Sequence, residues 1–437
     1  MRLSLPSLPS RPLLSIALLL ACGACGSAAP PDAAGTADTV GAAEAIGSVS
    51  SPLEVVREHV TADIYHYRFD LPAGTGPNAR LRVHRIVRET APWRPRATAH
   101  AVMLLHGDFA TFVTNFAPTL GAPASSAPGL APYLASRGID AWGVDRRWTL
   151  PARDGDVSDL GEMGVAQELS DIGAALAFAR ATRAVTDRDA GRIVLGGFSH
   201  GGELVYAYAA ADGRHVSAIA PIDVYYDIAP EDADLRAAAC ANAAAEKDLV
   251  AQGVTDSDNG FFITAGSLDR SAPDDPSPVY PPFTNRGALF ATVGQTYQFA
   301  PLTPLYHLSA PILGADGSVT GLRESSEDAV SAWFAGAPPH QSMREAAELD
   351  AIWCGASPRP DLANIKVPLF YLGAAGAFGA HGLHSTTRVS SRDVTTLIVH
   401  RFGPDRTAED FGHGDLLLAR DAPTLAWRPL AAWLLRH

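Results

Sequence analysis

The chain has 437 residues, 47% of them hydrophobic and 19% charged, the balance of a folded globular protein with one large core or two smaller ones. Its formal charge of -13, with no basic stripe interleaved with aromatics, argues against nucleic-acid partners, because such a surface repels phosphate backbones. Only Lys247 and Lys366 carry ammonium groups, neither in a Walker loop nor beside an imine pocket, so nucleotide-triphosphate and pyridoxal chemistries lose their usual handle.

Residues 1–25 read as an export leader. Arg2 and Arg11 form a positive end, Leu13 to Leu20 an apolar run too short to span a membrane as a helix, and Ala21-Cys22-Gly23-Ala24-Cys25 follows. The stretch Leu19-Leu20-Ala21-Cys22 resembles a bacterial lipoprotein cleavage site, with Cys22 as the acylated residue and Cys25 as a second candidate. An ordinary secretory leader with an incidental cysteine is the alternative. Losing the leader removes two arginines and no acid, which takes the charge from -13 to -15. With no stop-transfer segment, the body is expected outside the cytoplasm, and membrane contact only through an N-terminal lipid anchor. Residues 26–51 are Ala, Gly, Pro, Ser and Thr with scattered acids, too poor in large apolar groups to offset the entropy of ordering, and read as a flexible tether.

From residue 52 onward, β-rich runs alternate with helical ones, the signature of a mostly parallel sheet covered on both faces. Asp63 to Phe69 and Leu81 to Val87 read as two opening antiparallel strands. Ala101 to Leu105 is a buried strand ending in His106-Gly107-Asp108, and Ala141 to Val144 is the next, entered through Ser136-Arg137-Gly138. Leu169, Ile172, Leu176 and Phe178 fall near helical spacing and predict a crossover helix over Ala166 to Arg180. The strand Arg192 to Leu195 then runs into Gly196-Gly197-Phe198-Ser199-His200-Gly201-Gly202 and a second helix, after which Val216 to Ile222 closes at Asp223. Residues 224–364 are irregular, with a tryptophan-bearing helix near Ala329 to Phe334, and read as a cap inserted into a core of residues 52–223 and 365–437. The βα rhythm returns with strands Leu369 to Gly373 and Thr395 to His400, a loop carrying His413, and a terminal helix opening near Pro423. Cys240 and Cys354 are either a disulfide or two buried thiols, since sequence does not place their Cα atoms.

Gly-x-Ser-x-Gly is weak by itself, but here it follows a buried strand and opens a helix. The chain must turn sharply at Ser199, with glycines at 197 and 201 removing side chains that would collide, and the turn lifts the hydroxyl to the carboxyl end of the sheet. A serine hydroxyl needs an imidazole to take its proton. His413, on the glycine-flanked loop Phe411-Gly412-His413-Gly414-Asp415, follows the nucleophile in the expected order. The third member is a carboxylate that orients the imidazole. Its usual position after the seventh strand, Gly373 to Gly379, holds no acid, so the role falls to Asp223 after the preceding strand, with Asp227, Asp410 and a Ser-His dyad open. Two amides are expected to hold the oxyanion, those of His200 and Asp108, which requires the Asp108 carboxylate to point away.

These segments resemble the α/β-hydrolase superfamily of lipase and esterase type, in part its acid-lipase-like members. The resemblance rests on Leu104-Leu105-His106-Gly107, Ser136-Arg137-Gly138-Ile139-Asp140-Ala141-Trp142, Gly197-Phe198-Ser199-His200-Gly201-Gly202 and Gly412-His413-Gly414-Asp415. It implies an α/β fold with a doubly wound sheet, Ser199 and His413 in catalysis, and a cap between the sixth and seventh strands. The missing seventh-strand acid is a departure from it.

The other signals have plainer readings. His381 and His384 lack a third metal ligand nearby and read as a polar loop, Asp154 to Glu162 as a solvated acidic loop, and the glycines from 373 to 379 as room for the histidine loop rather than a dinucleotide site. Trp333, Phe334, Phe261, Phe262 and Tyr297 line an acyl pocket or form the cap's own core. The expected activity is hydrolysis of an ester-like bond in a small-molecule acyl substrate through an acyl-enzyme on Ser199, with no metal and no cofactor. Peptidase and acyltransferase chemistry use the same parts, and a surface-tethered binding protein with an inactive hydrolase fold is the reading from another class.

Overall fold

The computed structural model describes residues 54–437 apart from 128, 299, 357 and 358. The leader, the tether, Cys22 and Cys25 lie outside the described residues. Residues 52–437 form one unit, from which the 224–364 insertion does not separate.

Nine strands run along the main sheet: β1 (Glu54–Thr61), β2 (Ile64–Pro72), β3 (Arg80–Ala91), β4 (His100–Leu105), β5 (Ile139–Asp145), β6 (Ile193–Phe198), β7 (Val216–Ile222), β8 (Leu369–Ala374) and β9 (Val394–Val399). Their spatial order is β1-β2-β3-β5-β4-β6-β7-β8-β9, with the short segment Arg94–Pro95 added beside β3. The first three pair antiparallel, β3 meets β5 antiparallel, and the six strands from β5 to β9 run parallel. Every residue of β5, β6 and β8 is buried, as expected of parallel strands covered on both faces.

Helices of seven or more residues are α1 (Leu130–Ser136), α2 (Val165–Thr186), α3 (His200–Ala211), α4 (Ala233–Ala251), α5 (Gly260–Ser271), α6 (Asn285–Gly294), α7 (Glu327–Ala335), α8 (Met343–Cys354), α9 (Gly379–Thr387) and α10 (Arg428–Leu434). The crossover helix α2 buries Ile172 and Leu176 of the expected face and half-buries Leu169 and Phe178, but it runs six residues past Arg180, its last turn ending at Thr186. That turn carries Arg183 into a buried ion cluster with Asp140, Asp187 and Arg85, where Arg85 Nη2 lies 2.7 Å from Asp140 Oδ2 and Arg183 Nη1 2.8 Å from the same oxygen. Each charge there has opposite-sign partners within hydrogen-bond range, the condition for burying it. The insertion between β7 and β8 carries α4 to α8, and Cys240 of α4 is joined to Cys354 of α8 by a disulfide.

One expectation is corrected and one is met. His381 and His384, read as a polar loop, lie in helix α9, in which Gly382 lets the helix close onto the Tyr371 ring: a Cβ there would stand 1.9 Å from the Tyr371 hydroxyl. The terminal helix opens at Pro423 as expected, its first turn, Pro423–Trp427, being π-helical before α10 begins. No helix among the described residues is long and apolar enough to cross a membrane.

Strand order sets the site. The chain leaves β4 for β5 on one side and returns to β6 on the other, and the crevice at the carboxyl ends of strands flanking such a switch is where doubly wound sheets bind ligands. Leu105 of β4 pairs with Gly197 of β6, and Phe198 of β6 with Ile222 of β7. The residues that follow, His106-Gly107-Asp108, Ser199 and Asp223, are therefore set side by side by register alone.

Candidate active site

Ser199 sits between β6 and α3 with φ 57 and ψ -134, a conformation that L residues rarely adopt. Two glycines permit the turn. A Cβ on Gly197 would come within 2.3 Å of the Gly201 carbonyl, and one on Gly201 within 2.4 Å of the Leu105 carbonyl. The Ser199 amide is tied to the Ile222 carbonyl at 3.0 Å, and Ser199 keeps partial exposure between buried neighbours. The hydroxyl is thus borne on a fixed bend that solvent reaches, at the amino end of α3.

Asp223 also has positive φ, 48, and is fully buried. Its carboxylate has two partners: Oδ1 accepts the Ala374 amide at 2.8 Å from the end of β8, and Oδ2 lies 2.7 Å from His413 Nδ1. Asp223 thus engages Nδ1 of the ring and not Nε2. The His413 ring stacks on Phe198, the residue before the nucleophile, at 4.2 Å between centroids. Tyr306 and Phe378 close around it at 5.5 and 5.4 Å. The imidazole is 2% exposed.

The loop bearing His413 is pinned from the insertion. The His413 amide bonds the His307 carbonyl at 2.9 Å, the Gly414 amide bonds the Leu308 carbonyl at 2.7 Å, and the buried His307 ring reaches the Asp410 carbonyl at 2.6 Å. The Asp415 carboxylate accepts the Gly412 and Ala310 amides and the Ser309 hydroxyl within 2.8 Å. The glycine loop after β8 does give room, and His307 fills it: a Cβ on Gly376 would stand 2.2 Å from that ring.

On the other side of Ser199, the His200 amide belongs to the first turn of α3, where amides have no intrahelical acceptor and the helix end is positive. The Asp108 amide arrives on the loop after β4. The Asp108 carboxylate oxygens are both occupied: Oδ2 contacts His200 Nδ1, and Oδ1 accepts a hydrogen bond from Gln341 Nε2 at 2.8 Å. Burial would raise this carboxyl, but the His200 charge and contact, with Arg146 behind, outweigh it and hold it near 2. Burial would lower the His200 imidazole, and Asp108 outweighs it in turn, lifting the ring to about 9.

Phe109 follows with φ 40 and stacks on Phe262 at 4.4 Å, with the tilted ring of Trp333 at 5.2 Å and Phe334 edge-on at 5.9 Å. Three of the aromatics read from the insertion therefore cluster on Phe109 of the loop after β4, whereas Phe261 is 40% exposed.

The remaining candidates have other partners. Asp227 pairs with Arg359 at 3.0 Å and Arg388 at 3.4 Å, and Asp410 accepts the Arg401, Phe402 and Phe411 amides. His106 is a structural histidine: burial first, then Arg146, pushes its ring down to about 3, and Nε2 accepts the Arg146 amide. His381 pairs with Asp232 at 2.8 Å and His384 lies 3.8 Å from Asp227. Among the described residues no group of three or more His, Cys, Asp or Glu is placed to hold a metal ion. Asp159 of the acidic loop bonds Asn78. An open cavity of about 440 Å³, lined by Leu305, Ala377, His381, Ile398, His400 and Asp410, adjoins the 373–379 loop without including Ser199. Sequence reading missed Gln341, His307, Tyr306 and Phe378, all brought in by tertiary packing.

No family model and no curated protein matches the chain. Solved structures do. A structure from Sulfolobus solfataricus assigned as a lipase superposes with a TM-score of 0.60 at 13% identity, covering 88% of this chain and 99% of that one. A thermophilic esterase from Thermogutta terrifontis reaches 0.43 at 12% identity over 84% and 98% of the two chains. A soluble variant of monoglyceride lipase from Saccharomyces cerevisiae reaches 0.42 at 12% over 88% and 96%. The last two scores carry no argument. The first, together with the strand order and the β6-Ser199-α3 turn, identifies the architecture: the chain has the α/β-hydrolase fold.

Proposed function

We propose that the protein is a serine hydrolase that cleaves carboxylic esters of small-molecule acyl substrates. The observation that carries this reading is the Asp223–His413 contact of 2.7 Å beside a serine held at φ 57 on the strand-to-helix turn. In the proposed reaction, Ser199 Oγ attacks the acyl carbon as His413 Nε2 takes its proton. Asp223 holds Nδ1–H, which fixes the tautomer and stabilises the imidazolium. The amides of His200 and Asp108 receive the oxyanion. Collapse breaks the bond to the alkoxy group, which leaves with the proton from His413. Water, activated by the same imidazole, then releases the acid and restores Ser199. The phenylalanines and tryptophan around Phe109 supply apolar surface for the acyl part. The leader sequence and the Cys240–Cys354 disulfide both favour an exported protein, since disulfides persist in oxidising compartments, and Cys22 is the proposed acylation site.

A nitrophenyl ester series from acetate to palmitate, run with purified protein and with Ser199→Ala, tests the reading. Turnover at one or more chain lengths that vanishes in the variant is expected. Equal rates for the two proteins, or cleavage only of peptide or transfer substrates, would overturn it.

A further inference from the structure

The two amides assigned to the oxyanion belong to different elements, the loop after β4 and the first turn of α3, and their separation has to be fixed by something other than the sheet, because both lie beyond the last paired residues of β4 and β6. The loop after β4 is bent at Phe109 into a conformation that L residues rarely hold, so it needs restraint. Its backbone is tied at Gly107, whose amide donates to Asn115 Oδ1 at 2.9 Å, and at His106, whose carbonyl accepts Arg146 Nη2 at 2.5 Å. At Asp108 the restraint passes through the side chain to the very residue that supplies the other amide.

We infer that the His200–Asp108 ion pair is a positioning device that holds the two oxyanion-binding amides at their working separation, so that transition-state binding depends on the charge of His200. This rests on the reading of Ser199 as nucleophile. Gln341 completes the device: its side-chain amide donates to Asp108 Oδ1 at 2.8 Å while its oxygen accepts the Phe109 amide at 3.4 Å. The imidazole is clamped in place by Trp353 of α8, whose ring centroid lies 4.6 Å away.

The groups facing His200 come from four elements. Asp108 comes from the loop after β4, Glu203 from α3 with Oε2 at 3.8 Å from His200 Nε2, Asp350 from α8, and Glu246 from α4. Arg146 Nη1 stands 3.9 Å from Asp108. Burial pushes Glu203 well above the carboxylate range; Asp350, raised to about 6, and Glu246, raised to about 8, ionise above those values, whereas Asp108, held near 2, is an anion over the whole range from pH 6 to 10.5. The imidazole is lifted to about 9 and is therefore charged below that pH, losing its charge as pH rises through it. Above it the device loses the attraction that pins Asp108, while Ser199, His413 and Asp223 stay intact.

The test measures kcat and KM for a short-chain alkyl ester by titration of released acid from pH 6 to 10.5, in wild type, Asp108→Asn and His200→Gln. Affinity for a trifluoromethyl ketone, which forms the oxyanion on the enzyme, is measured alongside. In wild type kcat is expected to fall along a limb centred near pH 9, a result that needs no variant to fold. Asp108→Asn should lower kcat about 10- to 100-fold with KM within a fewfold, less than the loss of a whole oxyanion donor. Its limb should move toward neutral pH, because His200 loses the partner that raises it most. His200→Gln should have no such limb, and ketone affinity should weaken in step with kcat in both variants. A merely structural pair would alter stability and leave the limb where it is. Variants within twofold of wild type with an unmoved limb, or a wild type flat to pH 10.5, would overturn the inference while leaving Ser199 turnover standing. A wild type inert to the ester and the ketone would remove both readings together.

Discussion

Two histidine–carboxylate pairs flank Ser199, and they are built for different work. His413 meets one buried carboxylate, Asp223, which also accepts a backbone amide, and the ring is boxed by Phe198, Tyr306 and Phe378. His200 meets Asp108 and also faces Glu203 and Asp350, with Asp108 itself partly exposed. The proposed function gives the first pair the exchange of a proton with Ser199. His200, among several carboxyls, is kept charged and serves as a clamp. The contrast lies in the anion beside each ring: Asp108, held near 2, is the partner that raises the His200 imidazole most.

The comparison breaks most severely at the nucleophile. Ser199→Ala should lower ester turnover by on the order of 10⁶-fold, as removal of a triad serine does elsewhere, because neither pair then has a group to act on. Asp223→Asn should cost about 10³- to 10⁴-fold in kcat by releasing the wrong imidazole tautomer. Asp227→Asn, at a carboxylate paired with Arg359 and Arg388, should stay within a fewfold of wild type, and steady-state kinetics of the two variants side by side read the difference.

How far this was legible in the sequence follows the range of the contacts. Val216–Ile222 is observed as expected, and the Ser199 turn was readable because Gly197, Ser199 and Gly201 are local to it. Asp223 was reachable because the loop after β8 contains no acid and β7 ends at Asp223. Strand β1 was missed: Val55, Val56 and Val60 are interrupted by charges, and what holds the strand is an edge pairing with β2 and the Arg57 bond to Glu89, 32 positions away. Gln341 and His307 carried no motif at all. They act across 233 positions to Asp108 and 103 to Asp410, inside an insertion whose order comes from packing on the core. The Asp108 side chain looked wrong in sequence because its partner, His200, becomes a neighbour only when β4 and β6 pair.

Weaker perturbations sharpen the contrast. His307→Ala should act on the His413 side, leaving a buried Asp410 carbonyl without its partner and a cavity beneath Gly376, at a cost of about 2–4 kcal/mol in a denaturant melt. Its kcat should fall while the pH 9 limb stays. Replacing Cys240 and Cys354 by serine should cost about 2–4 kcal/mol of stability, visible as a lower Tm, with turnover within a fewfold. Any change there should fall on the His200 side, since Cys354 adjoins Trp353.

The most direct measurement is fluorophosphonate labelling of the purified protein followed by peptide mapping of the adduct. A single phosphonylated residue, Ser199, is expected, with labelling abolished in Ser199→Ala and slowed by orders of magnitude in His413→Ala. An adduct on any other residue, or a protein that stays unlabelled while folded, would contradict it.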